Sequence, residues 1–529
     1  MFNKSIMVVK IKANSLYLGV CLFFSICYSF LYSNYLTKDP ILNRDDVLFI
    51  YPLKAVVGLS GYINAVKTNS IPDFQPVRDL TFLINLKIME WFHFSTFHMT
   101  NFIFFIVTIF LFMKLLEALG FGKKQIVYSA FFYATHPLMV SSVGWISARK
   151  HSLALVFILL SLLDFIKKRK ITTASIFCYV LSILSHQIFI LLPIWIYIYE
   201  KVKKINLEIG RFAIMSLMGL LVLFLGVMKT FYLEMGNVTY KQFHWFNNVS
   251  RYVLSVGRSV VQIFFPVSIS SDYFQGNILN LIGIPVLIFS LFLLYKSKNR
   301  ADSFLWIFLA ALSHILTYIT FVNDTYLYLP LICSLIAINF YFTNNPVRLN
   351  PKIKMTAFTL LLSLLAAKTI SSSQMWRSDL DVWKYSYSNE PSPFTSIVFG
   401  INLLKYDKKI ALELIVWGAK NYDLVNSKAH FIAFLEIIYT SSLPIQQKIA
   451  IYKDCYKDHE IYKAFYGLAL LEGTSEQMEE GIKMLKPILL DESKYTPSSH
   501  GIGIIKAIKF LCKNFQGKSL ACTKLGINY

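Results

Sequence analysis

The chain has 529 residues, 55% hydrophobic, 16% aromatic and only 16% charged, with a mean hydropathy of +0.52; that excludes an ordinary soluble globular protein and describes a polytopic membrane protein. A formal charge of +22 would point to nucleic acid in a soluble chain, but here Lys and Arg fall in short runs between apolar spans, so they record topology and imply no nucleic-acid partner. Cys21, Cys27, Cys178, Cys333, Cys455, Cys512 and Cys522 form no CxxC pair, so neither a zinc site nor a disulfide framework is indicated; Cys512 and Cys522 are the pair that could bridge in an oxidising compartment.

From the N-terminus, Lys4, Lys10 and Lys12 precede an apolar run, Leu16 to Leu31, with no small-residue cleavage site after it. This reads as an uncleaved first span with a cytoplasmic N-terminus. Further basic clusters fall at Lys123/Lys124, Lys167 to Lys170, Lys201 to Lys204 with Arg211, Lys296 to Arg300, and Arg348 to Lys354. If each marks the inside, the spans between them come in pairs. The 30 residues from Ile171 to Glu200 have basic clusters at both ends, so they are expected to form a hairpin of two short helices turning near Ser185, His186 and Gln187. Each arm would be roughly 22 Å long. Such a hairpin has to bury its tip in protein or in a wet cleft. The remaining spans, Phe212 to Met228, Ile278 to Tyr295, Phe304 to Thr320, Tyr326 to Tyr341 and Met355 to Ile370, bring the total to about eleven and put the C-terminus outside.

The first region, 1–375, is therefore an all-α membrane helical bundle interrupted by two long outer loops, 33–94 and 229–277. Both loops hold amphipathic stretches, Pro76 to Phe92 and Val249 to Phe265, suited to lying on the membrane surface. From Trp376 the apolar runs shorten and the pattern becomes helical hairpins. Gly400 and Gly467 each open a helix pair, at about twice a 34-residue repeat, so 376–529 is expected to be an extracytoplasmic, short tetratricopeptide-like α-solenoid with a concave peptide-binding surface. The middle repeat is degenerate, with Phe434 where a glycine would fall.

Candidate chemistry follows the same order. In NRDDVLFI, Asp45 and Asp46 are adjacent, and two neighbouring carboxylates at a membrane face repel, which raises the pKa of one toward that of a useful base. A solvated acidic turn is the plainer alternative. QPVRD contributes Arg78, and FHMTN contributes His98 and Asn101 at the edge of the second span. The stretch HPLMVSSVGWISARKH, His136 to His151, turns the chain back into the membrane and leaves Arg149 and Lys150 at the mouth of the turn. Cations retained there mark either an anion site with His136 and Trp145 or snorkelling to lipid headgroups. His186 and Gln187 would face the same cleft. FVNDTYLYLP brings Asp324 and Tyr326, read alternatively as an aromatic belt.

Taken in order, the DD pair, QPVR, FHMTN, ATHPLMVSSVGWISARKHSLA, LSILSHQIFILLP, NDTYLYLP and two tryptophans before helical repeats resemble the GT-C membrane glycosyltransferases that carry tetratricopeptide repeats. That group comprises the transmembrane and tetratricopeptide-repeat O-mannosyltransferases and shorter bacterial relatives. The resemblance implies a sugar donor carried on a polyprenyl phosphate, chemistry on the periplasmic or lumenal face, and Asp45 and Asp46 as the catalytic acidic pair. The chain departs from the pattern at Gln75-Pro76, where the family has Arg-Pro, at Ser141 and Ser142, where it has an acidic residue, at His186-Gln187, where it has Lys-Glu, and at Thr325, where it has Arg.

Elementary chemistry supports the same parts. Phosphate leaves readily but needs cations on its departing charge, a task for Arg149, Lys150, His136 and His186. The acceptor hydroxyl needs a base, Asp45 or Asp46, and in-line displacement inverts the anomeric centre. Arg78, His98, Asn101, Gln187, Asp324 and Tyr326 are the expected substrate-binding groups. No cofactor is implied, although the acidic pair has the chemistry to hold a divalent metal. A protein or peptide acceptor would be recruited by the solenoid, in a bacterial inner membrane or, alternatively, the endoplasmic reticulum. Three other readings remain: a polymerase or ligase acting on envelope glycan or lipid, a flippase for lipid-linked sugar, and a non-catalytic scaffold.

Overall fold

The structure, a computed structural model, describes residues 2–33, 36, 46–67, 74–206, 208–234, 245–266, 278–296, 299–315, 324–344, 350–389, 391–421, 444–455, 466–467 and 469–490. The Cys512/Cys522 pair and Phe434 lie outside them. Every regular element among the described residues is helical, so the molecule is all-α. It divides into two compact units: Met1–Val227 with His244–Glu390, and Met228–Phe243 with Pro391–Tyr529.

In the first unit the chain runs through α1 (Phe2–Leu31), three loop helices α2 (Asp46–Lys54), α3 (Gly58–Lys67) and α4 (Pro76–Phe92), then α5 (Phe97–Ala118) and α6 (Lys123–Thr135). A broken segment containing the short α7 (Val140–Gly144) leads to α8 (Arg149–Lys168), α9 (Thr173–Ser185), α10 (Leu192–Lys203), α11 (Ile209–Glu234) and α12 (Trp245–Phe264). The unit closes with α13 (Ile278–Tyr295), α14 (Arg300–Ile315), α15 (Tyr328–Asn344), α16 (Pro351–Ser373) and α17 (Asp379–Asn389). Six described helices are long and apolar enough to cross a membrane, within α1, α5, α8, α11, α15 and α16. The other five positions expected to span fall on α6, α9, α10, α13 and α14, whose lengths are 13, 13, 12, 18 and 16 residues.

The centre of this unit is α5, which packs against α1, α6, α7 and α8. Its buried side chains, from Phe105 through Ile109, Phe112 and Met113 to Leu116, lie on more than one face, as a helix surrounded by others requires. Two tyrosines of α1 fix it to the broken segment: Tyr28 donates to the Ala134 carbonyl at 2.8 Å and Tyr32 to the Val140 carbonyl at 3.2 Å, each contributing about 1 kcal/mol. Elsewhere Trp195 of α10 is fully buried, donates to the Leu305 carbonyl at 2.7 Å and packs on Trp306, closing α10 onto α14.

The expected hairpin is present as α9 and α10, with a 3-10 turn over Gln187–Phe189. Its tip is capped by His186, whose Nδ1 accepts from the Ile188 N–H at 3.1 Å. The turn after α6 is built the same way, His136 Nδ1 accepting from the Leu138 N–H at 3.3 Å. α8 and α10 both end on a basic residue in the left-handed region, Arg169 at φ 52° and Lys204 at φ 54°. The Arg169 N–H closes its helix on the Phe165 carbonyl at 2.8 Å.

The segment from Trp376 to Asn389 packs with the first unit: Trp376 stacks on Trp145, and Ser372 shares a hydrogen bond with Tyr385 at 2.9 Å. The second unit contains α18 (Pro393–Leu403) packed along α19 (Lys408–Asn421), and the helices Ile445–Cys455 and Ser475–Leu490. Gly400 allows the first pair to approach, since a Cβ there would lie 2.7 Å from the Ala411 carbonyl oxygen.

Candidate functional site

The broken segment between α6 and α8 starts where Pro137 follows the capping His136. It breaks again at Trp145, whose extended backbone (φ −98°, ψ 118°) separates α7 from a 3-10 turn over Ile146–Ala148. Gly144 sits against Trp376, which occupies the space a Cβ would need, and the Trp145 and Trp376 rings lie parallel with centroids 6.2 Å apart. The break aims the Ser147 backbone N–H away from its own helix. That N–H donates to Asp46 Oδ1 at 2.8 Å, and the Ser147 hydroxyl donates to the same oxygen. Asp46, fully buried, is thereby fixed at the start of α8, where a helix N-terminus favours negative charge. Asp45 lies outside the described residues.

Arg149 opens α8 and is fully buried, so it does not snorkel. Its Nε donates to Asn101 Oδ1 at 2.7 Å and its Nη2 to the Phe97 carbonyl at 2.7 Å; Nη1 donates to Thr81 Oγ1 at 3.3 Å and to Asn85 Oδ1. The guanidinium also lies over the Phe82 ring, 4.6 Å from its centroid. These partners are themselves held in place. Asn85 donates to Thr96 at 2.7 Å and Thr100 at 2.8 Å, and Asn101 donates to the Trp145 carbonyl at 2.9 Å. Arg149 thus binds α4 and α5 to the head of α8.

Arg78, also fully buried, pairs with Asp79 through Nε at 2.8 Å and Nη2 at 2.5 Å. It donates to Gln75 Oε1 at 2.9 Å and lies 4.2 Å from the Phe49 centroid. Tyr62 of α3 donates to the other Asp79 oxygen at 2.8 Å. Lys150 is half-buried, with its ammonium 5.2 Å from the same Phe49 ring. Phe49, Phe82, Phe97 and Ile146 belong to one apolar cluster, which brings the first loop and the α8 turn together. Three permanent cations, Arg78, Arg149 and Lys150, stand against two described carboxylates, Asp46 and Asp79. The excess positive charge at a helix N-terminus suits an anion.

The other expected site residues divide between two places. His98 bonds the Val143 carbonyl at 3.2 Å and, with Asn101, supports the broken segment from beneath. His136 is buried and uses both ring nitrogens, Nδ1 for its cap and Nε2 toward the Ile263 carbonyl at 3.2 Å. His186 and Tyr326 meet around His151, a residue that the sequence reading passed over: its ring centroid lies 4.3 Å from that of His186 and 4.8 Å from that of Tyr326. Gln187 sits against Gly226 of α11. Asp324 begins the 3-10 turn over Asp324–Leu327, and its side chain lies outside what the structure describes. Among the described residues no group of three or more His, Cys, Asp or Glu is placed to hold a metal ion.

The fold and this cluster define a class: a multi-pass, all-α membrane protein with an acidic residue of its first loop docked on a cation-bearing turn between spans. The chain is similar to a protein O-mannosyl-transferase of Caenorhabditis elegans, 25% identical over 393 residues, or 68% of this chain. It spans about half the length of that curated relative, 54%. No family model matches the chain, and no solved structure does.

Proposed function

We propose that the protein is an inverting glycosyltransferase that moves a sugar from a polyprenyl-phosphate carrier to an acceptor hydroxyl, in protein O-glycosylation on the periplasmic or lumenal face. The observation that carries this reading is the similarity to a protein O-mannosyl-transferase over 68% of the chain. The convergence of Asp46, Ser147, Arg149 and Lys150 supports it. In the proposed step the acceptor oxygen forms a bond to the anomeric carbon as the bond from that carbon to the phosphate oxygen breaks. The acceptor proton passes to the Asp45/Asp46 pair, and the phosphate departs with the bonding electrons.

Within this scheme we assign different duties to the two cations. Arg149, caged by Asn85, Asn101 and the Phe97 carbonyl, is a positioning residue that holds the α8 turn. Lys150, half-buried, is the cation that meets the departing phosphate. Arg78 orients Asp79 and the Phe49 ring between them. The repeat-like hairpins of the second unit are assigned to the acceptor peptide, following the general use of helical solenoids as concave binding surfaces.

The test is transfer of labelled sugar from synthetic polyprenyl-phosphate mannose, and from other polyprenyl-phosphate sugars, to Ser/Thr peptides in membranes carrying the full chain. Label appearing on peptide, and lost in Lys150→Ala, supports the reading. Label appearing only on glycan or lipid moves the acceptor to the envelope, and no transfer from any such donor ends the proposal.

A further inference from the structure

His151 follows Arg149 by two residues, a rotation of about 200° around α8, so it leaves the arginine cage and faces the α9–α10 tip. There it meets His186, with ring centroids 4.3 Å apart, and the Tyr326 ring edge-on at 4.8 Å. Three separate segments therefore converge on one imidazole. His151 is only 3% exposed, and its Nδ1 is buried with no hydrogen-bond partner. His186 is tied through its own Nδ1 to the Ile188 N–H at 3.1 Å. His186, Tyr326 and Lys150 are half-buried, so the cluster has a deep end at His151 and a more open rim. The charges that act on His151 come from His186, Lys150 and Arg78, all cationic when ionised.

A buried ring nitrogen without a partner is costly, and a phenylalanine would pack the same space without that cost. Two imidazoles in contact also repel when both carry protons, unless an anion lies against them. One ligand removes both penalties: a phosphate accepting from His151 while Lys150 balances its charge. We infer that His151 and His186 form the deep end of a binding site for the phosphate of a lipid-linked donor, with His151 Nδ1–H donating to a phosphate oxygen and Tyr326 fixing the ring. This rests on the polyprenyl-phosphate reading above.

The experiment is equilibrium binding of undecaprenyl monophosphate to the full chain in nanodiscs, with undecaprenol, phosphatidic acid and inorganic phosphate as the other probes. His151→Phe keeps the ring volume but has no donor, and is expected to bind the monophosphate about ten- to one-hundred-fold more weakly. His151→Asn, whose amide lies near the Nδ1 position, should recover part of that loss. Undecaprenol should bind all forms alike. If His151→Phe fails to fold by thermal melting, His186→Phe takes its place with the same expectation. Wild-type affinity in the folded Phe variant, or equal binding of undecaprenol and its phosphate by the wild type, overturns the site. Equal competition by phosphatidic acid or inorganic phosphate overturns its assignment to a polyprenyl donor. Sugar transfer is scored separately. Phosphate binding that depends on His151 without any transfer leaves the site standing and removes the enzyme; transfer with an unchanged donor KM in His151→Phe does the reverse.

Discussion

Asp46 is held by two donors from a single residue, the N–H and hydroxyl of Ser147. Asparagine at this position still accepts both hydrogen bonds through its amide oxygen but is no base. Asp46→Asn is therefore expected to keep the wild-type melting profile while transfer falls at least about a hundredfold; wild-type activity in both Asp46→Asn and Asp45→Asn would take the acidic pair out of the mechanism. Arg149 behaves oppositely. Removing it strands Asn85, Asn101, Thr81 and a backbone carbonyl in a buried space, so Arg149→Ala should lose roughly 2–4 kcal/mol of stability, read as a lower melting temperature in detergent. Lysine does not rescue it, because a point charge cannot reproduce the planar fork that serves four acceptors. Asp46 and Arg149 were legible as candidates from their charge at a membrane edge. Their partners were not: Asn85 lies 64 residues from Arg149, and no local pattern distinguishes it from any other polar residue on an amphipathic helix. His151 was hidden for a related reason, since it follows Arg-Lys and its neighbours come from two distant segments.

Among the elements, the α9–α10 hairpin was readable because two basic clusters 30 residues apart leave no other even crossing. The matching construction at His136 was not readable, because an Nδ1 cap depends on backbone angles that the sequence HPLM does not announce. The Trp376 boundary marks a real change in composition, yet the chain continues to pack on the first unit as far as α17, since Trp376 has Gly144 to rest on. This contact gives a test at the level of the broken segment. Gly144→Ala drives a methyl group into the Trp376 ring and is expected to cost about 1–3 kcal/mol, accompanied by a changed tryptophan fluorescence spectrum as the Trp145–Trp376 stack separates. An unaltered spectrum and melting temperature would mean that the two rings do not depend on each other.

At the level of the whole molecule, hydropathy identified an all-α membrane protein directly, and six helices have the length and apolarity to cross. The five shorter helices follow the expected positions, but a helix of 12 or 13 residues spans only about 18–20 Å, and its sidedness depends on neighbours that hydropathy does not see. The charge pattern predicts that a reporter fused after Tyr529 is active only outside the cytoplasm; cytoplasmic activity would require an even number of crossings. The two left-handed helix ends bear on how that orientation is set. Arg169 and Lys204 occupy positions where glycine would relieve about 1–2 kcal/mol of backbone strain, while a cation at a helix C-terminus returns only about 0.3–1 kcal/mol. Conformational preference alone would have chosen glycine, so these side chains answer to insertion into the bilayer and not to the finished fold. Exchanging both for glycine should leave a protein at least as resistant to heat, yet one that enters the membrane in a mixture of orientations.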